Sequence, residues 1–177
     1  RRLAELGLIS ANVARESVTA CLDLVALGTV ADLVPLDFNN RILVAEGLRR
    51  IRAGHTRPGI EALFRVAGRT PAVARSSDLG FAIAPRLNAA GRLTDMTLGI
   101  DCLLAVDDGT ARGHAAQLDA LNTERRGLQD RMQAEATAKL ADLSEASVSS
   151  GGACCLFDDR WHPGIVGLVA SRIREIT

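Results

Sequence analysis

QLDALNTERRGLQDRMQAEATAKLADL, residues 117–143, carries the strongest periodic pattern in the chain. Most positions between its apolar side chains are polar or charged, and the apolar ones recur at intervals of three, four or seven residues. They are Leu118, Leu121, Leu128, Met132, Ala136, Leu140 and Leu143. This period predicts an amphipathic α-helix about 40 Å long. A surface helix, a coiled-coil helix and a helix that joins two domains all fit the pattern.

The sequence after this helix favours the last interpretation. Residues 144–152, SEASVSSGG, have the composition of a linker. Residues 153–157, ACCLF, then predict a short buried strand, 158–164 a turn and 165–176 a helix. A strand, a turn and a helix after a linker indicate the start of a second domain. The long helix is therefore predicted to connect two domains and to project from the first.

The residues before the long helix also predict a mainly helical structure. Residues 20–34, ACLDLVALGTVADLV, are nearly all apolar, and their length and their Ala and Leu content favour a buried helix over a buried strand. Signals for further helix ends follow: Asn39 and Asn40 as an N-cap, Gly54 as a stop, Pro58 as a first helical position, Gly68 as a stop, residues 76–78 as an N-cap, Pro85 as a stop and Asp95 as an N-cap.

Composition and charge restrict the class of protein. Hydrophobic residues make up 47% of the 177 residues, which is enough for a packed core. The formal net charge is zero, so composition alone gives no reason to expect a nucleic-acid partner. All but one of the 21 basic residues are Arg, whose planar guanidinium suits phosphate, although a GC-rich genome would produce the same excess.

Cysteine usage and hydropathy predict a cytoplasmic protein. The four Cys residues form no CxxC motif, and adjacent Cys154 and Cys155 are poor disulfide partners, which indicates a reducing compartment and small buried thiols. No apolar run reaches the length of a membrane span, and the sequence contains no signal-peptide pattern. We therefore expect no membrane association.

Asp32 lies among apolar residues and is the first candidate for chemistry. A buried carboxylate is costly unless it is paired, protonated or bound to a cation. Asp32 is therefore a candidate metal ligand, with helix capping or pairing with an Arg as the alternative. Asp23 would lie near the opposite face of the same helix and is predicted to be structural.

The segment PRLNAAGR is the second candidate. Arg86, Asn88 and Arg92 are separated by small residues that let a backbone approach closely. Two guanidiniums and an amide around a turn of small residues are able to hold a phosphate. The alternative is a structural loop in which the Arg side chains pair with Asp95 or Asp78.

The third candidate, WHPG, stands between the predicted strand and the predicted helix. Pro163 suits the first position of a helix, and the free N–H groups beyond it would form an anion site beside His162. A His that only caps the helix is the alternative. Trp161 is able to stack on a base, although a single Trp is more often part of a core. None of the usual stand-alone catalytic signatures, such as a Walker loop or HExxH, occurs in the chain.

Three segments, in this order and spacing, resemble RecJ-type exonucleases of the DHH phosphoesterase superfamily. They are LDLVALGTVADLVPLDFNNRILV (22–44), DLGFAIAPRLNAAGRL (78–93) and WHPGIVGLVASRI (161–173), and LDALNTERR (118–126) adds a fourth. The first two are specific, whereas WHPGIVG is shared more widely among relatives with a DHH-associated domain. The resemblance runs from about Leu22 to the C-terminus, and residues 1–19 add nothing to it.

The resemblance implies an α/β parent protein, of which this chain is a mainly α-helical part. The implied regions are the C-terminal part of the DHH catalytic domain (1–107), a long connecting helix (108–143), a linker (144–152) and the first strand and helix of the DHH-associated domain (153–177). Single-stranded DNA would bind in the cleft between the two domains. Two divalent ions, Mn²⁺ or Mg²⁺, would activate water and stabilise the phosphoryl transition state.

The resemblance also implies roles for the candidate residues. Asp32 matches the last acidic motif of the family, which makes it a predicted catalytic residue and metal ligand. The predicted nucleic-acid or phosphate contacts are Arg86, Asn88, Arg92, His162 and Gly164. The first three would line the active-site side of the cleft, and the last two belong to the entrance of the DHH-associated domain.

The chain also departs from the family pattern. It lacks the Asp-His-His triplet, the earlier acidic motif and the Gly-rich segment near the end of the second domain. We interpret this as truncation at both ends and expect the chain alone to be inactive, because one carboxylate does not hold two ions.

The parent would remove nucleotides from 5′ ends of single-stranded DNA in recombination and repair. Two alternatives are a DHH phosphoesterase acting on short oligonucleotides or cyclic dinucleotides, and a non-catalytic replication scaffold. The segments GTVAD and PRLNAAGR argue against the first, and the presence of Asp32, Arg86 and Arg92 argues against the second.

Overall fold

The computed structural model describes residues 6–7, 10–141 and 155–176. Within these ranges the protein is mainly helical, as the sequence predicts, and forms no strand. The helices are α1 (Ala11–Thr19), α2 (Leu22–Ala31), α3 (Phe38–Arg52), α4 (Pro58–Val66), α5 (Ala84–Leu93), α6 (Thr97–Leu104), α7 (Asp108–Ala141) and α8 (Pro163–Arg174). A 3₁₀ turn (Pro71–Val73), a short helical segment (Ser76–Asp78) and a π-helical turn (Leu79–Ile83) precede α5.

Three of the helix ends agree with the sequence signals, whereas the N-caps predicted at 76–78 and at Asp95 are wrong, because Arg75 and Met96 occupy these positions. Pro58 begins α4, and the α3 and α4 helices are followed by Gly54 and Gly68, which adopt left-handed φ values of 74° and 65°. Asp95 accepts hydrogen bonds from the backbone N–H and the hydroxyl of Thr97, both at 2.8 Å, at the start of α6.

The predicted N-cap of α3 is wrong. The cap is Asp37, whose backbone is extended and whose carboxylate accepts a hydrogen bond from the Asn40 N–H at 2.8 Å. A carboxylate at this position satisfies one of the first free N–H groups and is favoured by the helix dipole. The helix therefore begins at Phe38, and the two Asn residues fall inside its first turn.

Pro85 does not end a helix, contrary to the sequence prediction. The chain continues from Ser76–Asp78 through the π-helical turn into α5, whose second residue is Pro85. Proline is tolerated in a first helical turn because the N–H that it lacks is not needed there. PRLNAAGR is thus part of a helix and not a turn, and its Ala89 and Ala90 are fully buried.

The main hydrophobic cluster lies among α2 to α6 and the first half of α7. Its largest fully buried side chains are Ile51, Ile60, Leu63, Phe64, Leu79, Ile83 and Leu118. Burial of a side chain of this size stabilises the fold by about 1.5–3 kcal/mol. This cluster fixes the relative positions of α2, which Asp32 follows, of α5, which carries Arg86, Asn88 and Arg92, and of α7.

The described cysteines only partly match the expectation of buried thiols. Cys102 lies in the main cluster, and burial raises the pKa of its thiol to about 11. Cys21 and Cys155 are exposed, and Cys154 lies outside the described residues. A raised pKa keeps the Cys102 thiol protonated and unreactive at neutral pH.

Asp23 joins α2 to the start of α4. Its side chain is 1% exposed and accepts hydrogen bonds from the Thr56 hydroxyl at 3.1 Å and the Arg57 N–H at 3.0 Å. The Arg57 guanidinium Nε lies 3.5 Å from the same carboxylate. These partners replace the water that a buried charge loses. The geometry agrees with the predicted structural role of Asp23.

The long helix α7 is continuous, which confirms the sequence prediction over the residues that the structure describes; residues 142–143 lie outside them. Its inward positions advance in steps of four and three residues: Ala111, Ala115, Leu118, Asn122, Arg125, Gln129, Met132 and Ala136. The first three pack in the main cluster, and the last two form a second cluster with Ile165 and Val169 of α8. The second half of α7 thus extends past the main cluster and carries α8.

The predicted strand at 153–157 is not formed by residues 155–157, whereas 153–154 and the predicted linker 144–152 lie outside the described residues. A strand needs a neighbouring strand for its backbone hydrogen bonds, and the described ranges offer none. No helix in those ranges combines the length and the apolarity that crossing a bilayer requires.

Candidate functional site

Asp32 lies directly after α2 and is exposed to solvent, so the expectation of a buried carboxylate is wrong in this chain. The helix ends at Ala31, and Leu33 adopts a left-handed φ of 53°, which turns the chain out of the helical path. No donor in the described part of the chain bonds to the Asp32 carboxylate. Leu33 and Phe38 beside it are 86% and 78% exposed, which is typical of a surface that contacts another part of a protein.

Helix α5 divides the polar residues of PRLNAAGR between two faces. Arg86 and Asn88 are two positions apart, which turns their side chains by about 200° relative to each other. Asn88 and Arg92 are four positions apart and share a face. The structure therefore brings Asn88 and Arg92 together, with Asn88 exposed and Arg92 half-buried, and it places Arg86 elsewhere.

Arg86 faces α7 and is neutralised there. Its Nε and Nη2 both lie 2.8 Å from the Asp119 carboxylate, and its Nη1 donates to the Ala82 carbonyl at 2.6 Å. The side chain is only 11% exposed. The alternative in the sequence analysis, a structural ion pair, thus describes Arg86 well, but its partner is neither Asp78 nor Asp95. The guanidinium holds α5 against α7.

Arg92 has a different environment. Its Nη1 donates to the carbonyl oxygen of Gly164 at 3.2 Å, and no carboxylate of the described chain pairs with it. Gly164 comes so close to the end of α5 that a β-carbon there would overlap the Arg92 carbonyl group. Gly164 is therefore required for the contact between α5 and the first turn of α8. The nucleic-acid contact predicted for Gly164 stays a prediction.

His162 caps α8. Its Nδ1 accepts a hydrogen bond from the Gly164 N–H at 3.1 Å, and its carbonyl oxygen accepts from the N–H groups of Ile165 and Val166. The N–H groups that the sequence predicts to be free for an anion are thus already bonded within the helix. The capping alternative describes His162 in this structure, and an anion at this helix start would have to displace the imidazole.

Trp161 packs in the second cluster and does not lie free for a base. Its ring Nε1 donates to the Glu135 carboxylate at 2.8 Å, and the Lys139 ammonium lies 5.9 Å from the ring centroid. Lys139 also pairs with Asp158 at 3.3 Å. These contacts attach the segment before α8 to the second half of α7.

Four residues of α7 with polar contacts were not among the sequence candidates. Asp119 pairs with Arg86, and Arg125 donates to the side-chain oxygens of Gln129 and of Asn122, which is buried. The signal was present in the sequence: 118, 122, 125, 129 and 132 are inward-facing positions of one helical stripe, and the middle three are polar. A polar group at a position that the pattern assigns to a core indicates an unusual local requirement.

No family model matches the chain. The chain is 52% identical over 164 residues to the single-stranded-DNA-specific exonuclease RecJ of Salmonella typhimurium, which covers 93% of this chain and 28% of that protein. It is 51% identical over 172 residues to RecJ of Dickeya dadantii, which covers 97% of this chain and 29% of that protein. The second match extends into residues 1–19, where the motifs carry no resemblance.

Solved structures agree with the sequence relatives. A crystal structure of exonuclease RecJ bound to manganese matches with a TM-score of 0.78 at 36% identity, over 90% of this chain and 38% of that chain. A crystal structure of Thermus thermophilus RecJ in complex with Mg²⁺ matches with a TM-score of 0.78 at 35% identity, over 99% of this chain and 26% of that chain.

The sequence relatives named above belong to one class, the exonucleases specific for single-stranded DNA. The chain belongs to the RecJ family of that class. It spans less than a third of the length of the two relatives named above, at 28% and 29%.

Proposed function

We propose that this chain is a segment of a 5′→3′ exonuclease that degrades single-stranded DNA in recombination and repair, in the cytoplasm. The similarity over nearly the whole chain at about half-identical residues carries this proposal. We propose the domain division of the sequence analysis for the parent: residues 1–107 in the catalytic domain, 108–143 as connecting helix, 144–152 as linker and 153–177 in the DHH-associated domain. The two hydrophobic clusters along α7 support this division.

Asp32 is proposed as one metal ligand of that enzyme. An exposed carboxylate without a protein partner supports this role, because such a group is available to a cation. The described residues contain no group of three or more side chains of the metal-binding types. The described residues thus do not supply the ligands of a two-ion site, and we propose that the segment is inactive alone. The relatives solved with Mn²⁺ or Mg²⁺ support divalent ions as the cofactor of the parent; such ions supply Lewis-acid activation of water.

The phosphate contacts are proposed to divide into direct and indirect ones. Arg92 and Asn88, on one face of α5, are proposed to contact the DNA backbone directly. Arg86 is proposed to act through the helix that it orders, because Asp119 already occupies its guanidinium. His162 and Gly164 are proposed to hold the start of α8 against Arg92, and thereby to complete the same surface.

The test uses a full-length polypeptide that carries this chain, supplied with Mn²⁺ or Mg²⁺. The substrates are single-stranded oligonucleotides labelled at the 5′ or the 3′ end, with a blunt duplex of the same sequence as control. We expect immediate release of the 5′ label as mononucleotide, late loss of the 3′ label and little cleavage of the duplex. Cleavage of cyclic dinucleotides or dinucleotides only, or no cleavage with either ion, would contradict the proposal.

A further inference from the structure

The stripe of α7 that faces the protein changes from apolar to polar where the two hydrophobic clusters meet. Leu118 and Leu121 pack in the main cluster and Leu128 and Met132 in the second, and the inward positions Asn122, Arg125 and Gln129 at this junction are polar. We call these three residues, together with Arg92 at the end of α5, the polar seam. Apolar side chains would pack better at such positions, so the polar residues stabilise the junction of the clusters less than apolar residues would.

Within the polar seam, the guanidinium of Arg125 has the least complete set of hydrogen-bond and charge partners among the described residues. Its Nη1 donates to the Gln129 amide oxygen at 2.8 Å and its Nη2 to the Asn122 amide oxygen at 3.0 Å. Its Nε is buried and has no partner in the described part of the chain. Two neutral amides orient the guanidinium, but they do not neutralise its charge.

The charge of Arg125 is also opposed by its neighbours. Burial lowers the pKa of Arg125 first, and the positive charges of Arg126 and Arg92 lower it further, whereas Asp130 opposes them as the weakest contribution. Among the described residues, Arg92 has only the Gly164 carbonyl as acceptor. Two half-buried guanidiniums, close enough to repel each other, thus lie in the seam, and neither forms an ion pair with a carboxylate among the described residues.

The same two helices show how an arginine is neutralised where the fold requires it. Arg86 of α5 is paired by Asp119 of α7 with two contacts at 2.8 Å. Arg125 lies further along α7, where the charge of Arg92 acts on it, and has no such partner among the described residues. An arginine that served only to attach α5 to α7 would be expected to have an acid like Asp119. The unneutralised pair is instead the arrangement expected of a site for an oxyanion.

We propose that Arg125, together with Arg92, binds one phosphodiester group of single-stranded nucleic acid at the polar seam. The inference rests on the proposed function and adds Arg125 as a binding residue. Asn122 and Gln129 are positioning residues that orient the Arg125 guanidinium through their amide oxygens. The bound oxyanion supplies the negative charge that the seam lacks, so that binding relieves the repulsion between the two guanidiniums.

The test compares Arg125→Gln with Arg126→Gln in a full-length polypeptide that carries this chain. Arg126 is the adjacent residue on α7 and is exposed, so both variants lose one positive charge from the same helix. For Arg125→Gln we expect weaker binding of oligo-dT by about tenfold, and a salt dependence flattened by one phosphate's worth, about 0.7 in the slope of log K against log salt. Arg126→Gln should change the slope by less than half of this amount. Arg125→Lys, which keeps the charge, should restore most of the slope.

The melting temperature provides a second readout. If Arg125 had only a structural role, Arg125→Gln would lower the melting temperature, whereas our proposal predicts no such decrease. Without ligand, Arg125→Gln should melt at the same temperature as the wild type or higher, because it removes a repelled charge. Inorganic phosphate should raise the melting temperature of the wild type and of Arg126→Gln but not of Arg125→Gln. A lowered melting temperature with an unchanged salt slope would overturn the inference and would assign Arg125 to a contact within the fold.

The two proposals fail in different ways. If the wild type degrades single-stranded DNA and Arg125→Gln keeps its salt slope, the inference is overturned and the proposed function stands. If the wild type does not degrade single-stranded DNA but phosphate stabilises it through Arg125, the oxyanion site stands and the proposed function is wrong.

Discussion

Arg86 and Arg92 lie on the same helix, six residues apart, in opposite electrostatic surroundings. Arg86 is 11% exposed and paired with Asp119 of α7, whereas Arg92 is half-buried and, within the described part of the chain, bonded only to a backbone carbonyl. The first region attaches α5 to α7, and the second leaves positive charge at the junction of α5, α7 and α8. Pairing, more than residue type or local sequence, therefore separates an arginine that holds the fold from one that is available to a ligand.

Two acidic residues at opposite ends of α2 repeat this contrast. Asp23, near the start of the helix, is 1% exposed and has Thr56 and Arg57 as partners. Asp32, after its last residue, is exposed and has no partner within the described residues. A buried carboxylate with several donors stabilises a fold, whereas a solvent-facing one costs little to leave free for a cation.

The largest expected effect concerns Asp32. In a full-length polypeptide that carries this chain, Asp32→Ala should abolish nuclease turnover and leave the melting temperature within about 2 °C of the wild type. The reason is the loss of a proposed metal ligand from an exposed position without a structural contact. The measurement is release of 5′ label at saturating Mn²⁺, together with a thermal melt and Mn²⁺ binding by calorimetry.

Asp37→Asn is the matched control for Asp32. It removes a carboxylate five positions away, and Asn is as good an N-cap as Asp, so α3 should keep its start. The control should retain turnover. Near-normal activity of Asp32→Ala at saturating Mn²⁺ would mean that this carboxylate is not a ligand.

The opposite result is expected for Asp23. Asp23→Ala leaves the Arg57 guanidinium and backbone N–H without their acceptor in a buried position, which should lower the free energy of unfolding by about 2–3 kcal/mol. Asp23→Asn keeps an oxygen acceptor and should lose less. Urea unfolding measures the loss, and activity per folded molecule should remain that of the wild type. A stable Asp23→Ala variant with reduced activity would reverse the assignment of the two acids.

A smaller loss of stability is expected for the Arg86 pair. Asp119 is 38% exposed, so solvent screens part of the interaction, and Arg86→Gln should lower the free energy of unfolding by about 1 kcal/mol. Asp119→Asn should cost a similar amount. The double variant should cost less than the sum of the two single changes, because they remove the same interaction. Strictly additive losses would show that the two side chains act independently.

The smallest effect concerns the pH dependence of the protein's stability. The pKa of Asp158 lies well below its ordinary value, first because the Arg160 side chain and backbone donate to it and further because of Lys139. A lowered carboxyl pKa adds stability above the ordinary value near pH 4, and this contribution is lost as pH falls below it. Between pH 6 and pH 3, the melting temperature should therefore fall less steeply for Asp158→Asn than for the wild type. Parallel curves would contradict the pairing.

The sequence predicted those features that depend on residues close to one another along the chain. The helical class, the long helix α7 and the stops at Gly54 and Gly68 follow from periodicity and from residues that suit particular backbone angles. The continuation of the helix through Pro85 could not be predicted in this way, because it depends on a π-helical turn just before it. The turn assumed for PRLNAAGR was wrong for the same reason.

The candidate site was predicted by residue type but not by partner. Arg86 and Asp119 are 33 positions apart, and no local pattern indicates which of the many acids will meet a given arginine. The exposure of Asp32 depends on where α2 ends, and its apolar sequence neighbours suggested the opposite. The polar interruption at Asn122 and Arg125 was visible in the helical stripe, and its meaning depended on knowing that α5 and α8 meet α7 there.

The most direct test of the contrast is the salt dependence of single-stranded DNA binding by Arg86→Gln and Arg92→Gln in a full-length polypeptide that carries this chain. Both variants remove one guanidinium from the same helix. We predict that Arg92→Gln reduces the slope of log K against log salt by about 0.7, the contribution of one phosphate contact, and weakens binding equally for all sequences. Arg86→Gln should leave the slope unchanged. An unchanged slope for Arg92→Gln together with lost stability, or a flattened slope for Arg86→Gln, would contradict it.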